Sequence, residues 1–563
     1  MIDRSISALR TLRPEHDQHI FWFRDDLHQP CAISPMGMTT VQKHHAWGYH
    51  IAAEQTQLPP SKGAYVKIHK GRVFLGFALL DDPDEIGRRA EKFGALIEHC
   101  KDHWDEYYNG YIDEVKASLA TLRAVDADGL TTPHLLDYLR KSEEINRRNW
   151  EIHFILMYPA DAIYLEFEQY CKDHGVDEQA FLPMLSGFEG KPAETDAELW
   201  SLANDARAKG IERILMEASS ADWRATLASH AEGRVWLERF NDFLMAYGNR
   251  INAAHLDVLF PTWREDPTPV LDTVKSYFHR MDAGWNLQDQ RDEVATRRVA
   301  AVAAFARTLA PDDLPVFNRF VTVAQKIYAY QEDHGFYIDQ GSTAALHNTL
   351  MACGRHLVRL GLLEKAEDVF MLTYTELVEI LDDISRHEAV GVYHHQALVK
   401  PLVAERSAHW STVADLEAPL TLGNVPERMT DPIAIKVFGI IDEVLHPKGE
   451  KLVSVRLEGF AASAGVVEGI ARVVMHFEEF SKVRSGEILV CPYTGTAWTP
   501  LFLKIAGVVT DTGGMLTHAA IAAREYGIPA VVGTWNATGS IRDGDTVRID
   551  GSAGVVEILR RAG

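Results

Sequence analysis

Cysteine is scarce in this chain of 563 residues. There are five, at 31, 100, 171, 353 and 491, and none falls in a C-x-x-C or zinc-type spacing. This excludes a disulfide framework and a thiolate metal centre, and it predicts thiols that act as small core residues in a reducing compartment. Long apolar runs are also missing. None reaches the ~20 residues of a membrane helix, and the opening MIDRSISALRTLRPEHDQ lacks the apolar segment of a signal peptide. The expectation is a soluble, cytoplasmic protein. Positive charge is in deficit, 57 Lys and Arg against 80 Asp and Glu, for a net −23. A nucleic-acid partner is therefore disfavoured, although a locally basic pocket is not. No glycine-rich phosphate loop followed by lysine is present either.

What is present is a globular composition, 46% hydrophobic and 24% charged, at a length that predicts roughly two to four domains. Residues 1–90 are mixed. FWFRDDLHQPCAISPMG, with prolines at 30 and 35, reads as a loop, and AYVKIHKGRVFLGF reads as a hairpin about a Lys-Gly turn. From 91 to 445 the apolar residues recur at i, i+3, i+4 and i+7. Examples are EKFGALIEHCKDHWDEYYNGYIDEVKASLATL, AELWSLANDARAKGIERILMEA, QRDEVATRRVAAVAAFARTLA and AEDVFMLTYTELVEILDDI, which predict a large, mainly α-helical domain. HPKGEKLVSV, 446–455, reads as a hinge. Beyond it, GIARVVMH, EILV, AGVVT, AVVG, TVRID and GVVEIL are short β-type runs separated by turns, with helical pieces between them. Residues 456–563 are thus expected to form a compact α/β domain.

Within that last domain, GVVTDTGGMLTHAAIAAREYGIPAVVGT runs a strand into a turn at Asp511, Thr512, Gly513 and Gly514. Thr517-His518 then opens a helix that Gly527-Ile528-Pro529 closes. A helix start offers unpaired N–H groups and partial positive charge, which suit phosphate and disfavour an imidazolium. Glycines permit close backbone approach. His518 is therefore expected to be neutral near pH 7 and able to take a phosphoryl group covalently, with Gly513, Gly514 and Thr517 about the phosphate. The competing reading is a histidine that only caps its helix.

GGMLTHAAIAAREYGIPAVVGT resembles the mobile phosphohistidine domain of enzymes that make or use phosphoenolpyruvate. So do GFAASAGVVEGIARVV, as an opening strand pair, CPYTGTAWTPLF, and IRDGDTVRIDGSAGVVEIL as closing strands. The resemblance implies that this domain swivels and that His518 is the phosphorylated residue. Ala464 stands where the family usually has proline, and Leu516 where several relatives have serine. The chain ends at Gly563 without the pyruvate-handling barrel of the synthases and dikinases, so pyruvate and phosphoenolpyruvate are not the expected substrates.

FWFRDDLHQPCAISPMG, NRRNWEIHFILMYPA, FLMAYGNRINAAHLDVLFPTWREDP, QEDHGFYID and GRHLVRLGLLEKAEDVFMLTYTEL, spread over 20–380, resemble the substrate-binding region of rifampin phosphotransferase and the large subunit of phenylphosphate synthase. Asn249 stands where relatives often have histidine. The second resemblance implies the phosphotransfer subunit of a two-component dikinase. A separate ATP-grasp subunit carrying Mg-ATP would charge His518, and a small phenolic hydroxyl would accept the group, leaving AMP and phosphate.

In QEDHGFYIDQ, His334 or the adjacent carboxylate Asp333 is the candidate acceptor base, with Glu332, Tyr337 and Asp339 toward substrate. The acidic residues could also hold a divalent cation that screens the phosphoryl oxygens, and an ion-paired helix end reads about equally well. Trp22, His28 and His153 are further substrate-site candidates, against core aromatics and a satisfied core histidine. Arg250 is a candidate for phosphate oxygens, against an ion pair. Asp368 reads as a helix cap, and the HDQH, KHH and YHH clusters as surface histidines. Two rivals stand beside the phenolic dikinase: a rifamycin-type antibiotic phosphotransferase working with a nucleotide subunit, and a non-enzymatic phosphocarrier.

Overall fold

The computed structural model describes residues 19–562 apart from 189, 219–221, 252–255, 415, 417, 447–454, 476 and 496–497. The expected hinge, 446–455, lies outside the described residues except at its two ends, as does the side chain of Glu332. Two units are distinguished. One comprises 1–162, 255–260 and 337–427; the other comprises 163–254, 261–336 and 428–563. The helical stretch 91–445 contributes to both. Among the described residues no helix is long and apolar enough to cross a membrane.

In the first unit the expected hairpin forms from β2 (Ser61–His69) and β3 (Arg72–Leu79). Lys70 and Gly71 both take positive φ at its tip, the conformation that matches the twist of the flanking strands. FWFR, read as loop, is instead strand β1 (Phe21–Arg24). It is held between β3 and β4 (Thr421–Gly423), giving the order β2-β3-β1-β4. Alternation failed as a signal because Phe21, Trp22 and Phe23 are consecutive aromatics, with Trp22 and Phe23 both buried. PMGMT, also read as loop, is a short helix, Pro35–Thr39, started by proline at its first position and capped by the Ser34 hydroxyl, which accepts from the Gly37 amide.

Helix Pro83–Arg123 follows. Its buried apolar residues, 97, 100, 104, 108, 112, 115, 119 and 122, form one stripe at helical spacing. The KHH histidines are not on the surface. His44 and His45 are 0% and 1% exposed, because helix Val41–Thr56 turns that face inward. His19 and His394 are exposed and His395 is buried. Asp368 caps as expected, accepting from the Lys365 amide.

The second unit carries a mixed sheet from β5 (Arg456–Glu458), β6 (Phe460–Ser463), β7 (Val466–Val473), β8 (Ile488–Cys491), β9 (Gly507–Thr510), β10 (Ala530–Val532), β11 (Thr546–Asp550) and β12 (Val555–Arg560). The order is β5-β12-β11-β7-β8-β9-β10-β6, with β7, β8, β9 and β10 parallel. Each β-type run read from sequence is a strand here. The opening pair β6 and β7 is not hydrogen-bonded together, however: β6 pairs with β10 and β7 with β8 and β11. Gly465 turns the chain between them at φ 124°, and a two-residue link says nothing about which strands will pair.

One face of this sheet and the histidine helix share a core with helices of the same unit. Phe167, Phe181 and Phe317 pack in one apolar cluster with Phe502, Ala519, Ala520 and Ala523. Each such aromatic contributes on the order of 2–3 kcal/mol of apolar burial. The other face is closed by Ile488, Val490, Val509, Val531, Val547 and Ile549.

Candidate active site

Strands β8, β9 and β10 are parallel, so their C-terminal ends open on one edge, where loops of an α/β sheet gather chemistry. The loop after β8 brings Thr494, and the loop after β9 brings Asp511 to Thr517 and then helix His518–Tyr526. The helix starts at His518 and ends at Gly527, which adopts the left-handed φ of 64°. This is the strand–turn–helix read from the sequence.

The Nδ1 atom of His518 lies 3.0 Å from Thr494 Oγ1, and the Phe502 ring meets the imidazole edge-on at 5.6 Å. Enclosure by protein, with the positive charge of Arg250 a second cause, pushes the His518 imidazole down to about 3. It is therefore neutral near pH 7, as expected. Arg250 is buried, its guanidinium 4.8 Å from the Trp263 ring and 4.9 Å from the Phe336 ring. It thus places a fixed positive charge toward His518.

The turn residues have a packing role. A Cβ on Gly514 would fall 2.2 Å from the carbonyl oxygen of Lys436, and the Gly514 carbonyl accepts from the Thr517 hydroxyl at 2.8 Å. Gly513 takes φ 98°. The carboxylate of Asp511 accepts from the Thr538 amide at 2.9 Å and from its hydroxyl, which ties the turn to the short helix Ala537–Ser540.

His518 also lines a cavity of about 460 Å³. One wall is the histidine helix, through Ile521, Ala522, Glu525 and Tyr526. The others come from Gly187, Phe188, Pro192 and Asp196, from helix Leu287–Ala306, and from Tyr328 and Ala329 of helix Leu314–His334. Asp196 is buried there and its carboxylate accepts from the Tyr526 hydroxyl. Burial raises Asp196 to about 7, against the lowering pull of Arg291 and Arg250. Arg298 lies over the Phe188 ring at 4.1 Å and donates to the Ser186 carbonyl at 2.7 Å. Glu525 accepts from the Gly187 amide at 2.7 Å.

The remaining candidates are placed as follows. Asp333 accepts from the Lys191 amide at 2.5 Å, so it caps helix Lys191–Ala208. His334 is the last α-helical residue of Leu314–His334, directly before the π-helical stretch Gly335–Gln340, and is not among the described residues lining the His518 cavity. In the other unit, Trp22 is fully buried under Lys67, 5.4 Å from its ring. His28 Nδ1 is 3.0 Å from Asp25, which raises that imidazole against the lowering effect of its own burial. His153 Nε2 is 3.1 Å from Asp339, and Lys116 lies 5.3 Å from the Tyr337 ring. His28 and His153 flank His45, whose ring nitrogens have no hydrogen-bond partner among the described residues and whose burial pushes it down to about 3.

Sequence reasoning missed Thr494, Phe502, Asp196 and Tyr526. Thr494 and Phe502 lie in CPYTGTAWTPLF, a segment the family resemblance marked without giving either residue a role. Asp196, the sixth residue of helix Lys191–Ala208, carries no local mark that separates it from the other acidic residues of KPAETDAEL.

Comparison with known proteins fits this geometry. Residues 483–554 match the family described as PEP-utilising enzyme, mobile domain, and residues 153–332 match the rifampicin phosphotransferase fourth domain. The chain is similar to chondramide synthase of Chondromyces crocatus, 32% identical over 84% of this chain and 12% of that protein. It is similar to the uncharacterized phosphotransferase YvkC of Bacillus subtilis, 28% identical over 97% of this chain and 63% of that protein. It is also similar to rifampicin phosphotransferase of Streptomyces sviceus, 29% identical over 80% of this chain and 49% of that protein. The chain therefore spans less than two thirds of the length of each.

Proposed function

We propose, from a chain that carries the mobile domain of phosphoenolpyruvate-utilising enzymes and the fourth domain of rifampicin phosphotransferase, that it transfers a phosphoryl group through His518 to the hydroxyl of a small compound. The observation that carries this reading is the neutral imidazole at a helix start, with Nδ1 engaged by the Thr494 hydroxyl. If Nδ1–H donates to Thr494, the lone pair sits on Nε2, and Nε2 is the atom we assign to the phosphoryl group. The amide dipoles of the helix favour the dianion that results. Arg250 adds positive charge, which stabilises the phosphorylated form and opposes protonation of the ring.

The phosphoryl donor in this reading is Mg-ATP on a separate ATP-grasp subunit. Mg2+ there would neutralise charge on the phosphates as they separate. No residue of this chain is assigned to it. The β-phosphate passes to His518 and then to the acceptor, and AMP and phosphate leave. The acceptor we favour is phenolic. A rifamycin-type antibiotic is the second reading, supported by the match over 153–332 and by the relative of that name.

The test is label transfer. With ATP labelled at the β-position and an ATP-grasp protein present, His518 should take up label that is acid-labile and alkali-stable, then pass it to product. His518→Ala should fold, take no label and make no product. Product formation by the alanine variant would overturn the assignment, and a screen of small phenols against rifamycins separates the two acceptor readings.

A further inference from the structure

We infer that the cavity beside His518 is the acceptor site and that Asp196 takes the proton from the acceptor hydroxyl. This rests on the phosphotransfer reading above. The histidine helix places His518, Ile521, Ala522 and Glu525 on one stripe, at i, i+3, i+4 and i+7, all facing the cavity. A group on His518 and a molecule in the cavity therefore share one wall. The volume, about 460 Å³, lies in the lower part of the ~300–1,000 Å³ range of small-molecule sites. Phe188, with Arg298 stacked at 4.1 Å, supplies a flat wall suited to a planar ring.

Among the described residues three carboxylates line this space, and one of the three is suited to proton transfer. Glu525 is committed to the Gly187 amide. Asp292 is exposed and bonded by the Gln288 side-chain amide. Asp196 is buried, and its carboxylate partner is a side-chain hydroxyl, Tyr526, two turns along the helix that His518 begins. The charged and titratable groups that face Asp196 are Tyr526, Arg291, Arg250 and Tyr277. Tyr277 donates to the Asp196 main-chain carbonyl at 3.4 Å. A carboxylate near 7 is a base of useful strength for a phenol, whose ordinary value is about 10, and a weak one for water at about 15.7.

The step balances without a further reactant. The acceptor oxygen forms a bond to phosphorus as the Nε2–P bond breaks. The hydroxyl proton passes to Asp196. The pair from the broken bond stays on Nε2, and the imidazole is left neutral with its proton on Nδ1, toward Thr494.

The test charges the full chain on His518 with phosphoramidate, which removes the need for ATP and its subunit, and follows phenyl phosphate formed from added phenol by phosphorus NMR. Wild-type product formation should rise with pH through about 7 and then level. Asp196→Asn should charge normally but form product roughly 10²- to 10⁴-fold more slowly, without that limb. Tyr526→Phe removes a donor to the ionised carboxylate, so its limb should move to higher pH. Equal rates in wild type and Asp196→Asn would overturn the inference while the phosphohistidine stands. So would a charged wild type that phenol does not discharge. A wild type that takes no phosphoryl group at His518 would remove the phosphotransfer reading itself.

Discussion

His518 Nδ1 meets the Thr494 hydroxyl at 3.0 Å, the contact to which the proposed tautomer is assigned. Thr494→Val removes that partner without changing the shape of the side chain much. Loss of one hydrogen bond worth about 1 kcal/mol should slow charging by phosphoramidate roughly five- to tenfold, read as the initial rate of acid-labile label. Because the imidazole is held down to about 3, charging of wild type should show no limb at the ordinary histidine value of about 6.5. A titration there would mean that enclosure does not keep the ring neutral. His45 makes the parallel case for stability. Its folded value of about 3 lies below the unfolded one. As pH falls below about 6.5 the unfolded chain therefore binds a proton that the folded chain refuses. The resulting loss grows by about 1.4 kcal/mol per pH unit until about 3, or roughly 2 kcal/mol by pH 5. His45→Phe should lose less stability than wild type between pH 7 and 5, measured by urea midpoints.

At the scale of elements, the nine-residue helix His518–Tyr526 owes its position to its two ends. Gly527 closes it in the left-handed region, and Gly527→Ala should cost about 1–2 kcal/mol there. Gly514 is tighter, because an added Cβ would meet the main chain of Lys436 at 2.2 Å, and neither backbone can yield cheaply. Gly514→Ala should lower the thermal midpoint of the second unit and slow charging as well, since the turn that leads into His518 would have to move. Unchanged midpoint and rate would show that the turn is not held against 428–439.

For the whole molecule, the expectation concerns what the chain does with ATP. Given Mg-ATP and phenol alone, these 563 residues should make no product, and an ATP-grasp protein supplied in trans should restore it. His518 can accept a phosphoryl group, but charging it from ATP also needs a site that orients a triphosphate and its metal, which the two-component reading places on the partner. Product analysis with label at the β- or the γ-position checks this. Label arriving from the γ-position would refute the dikinase route and leave the phosphohistidine in place, whereas turnover by the chain alone would refute the two-component reading.

Local signals were sufficient for much of this protein. The Lys70-Gly71 turn, the strands from β7 to β12, the helix opened at His518 and its glycine exit are each set by residues within about ten positions of one another, so propensity, periodicity and capping reveal them. A neutral His518 was expected from its helix start, but what holds the imidazole down is enclosure and Arg250, 268 positions away. Tertiary structure decided whatever depends on residues far apart in the chain. β6 left its sequence neighbour for β10, consecutive aromatics became strand β1 between β3 and β4, and the KHH pair was turned inward. Asp196 and Tyr526, 330 positions apart, meet beside His518 because two helices of one unit share an apolar core. No periodicity in either segment carries that information, since the partner of a helix face is chosen by packing and not by the face itself.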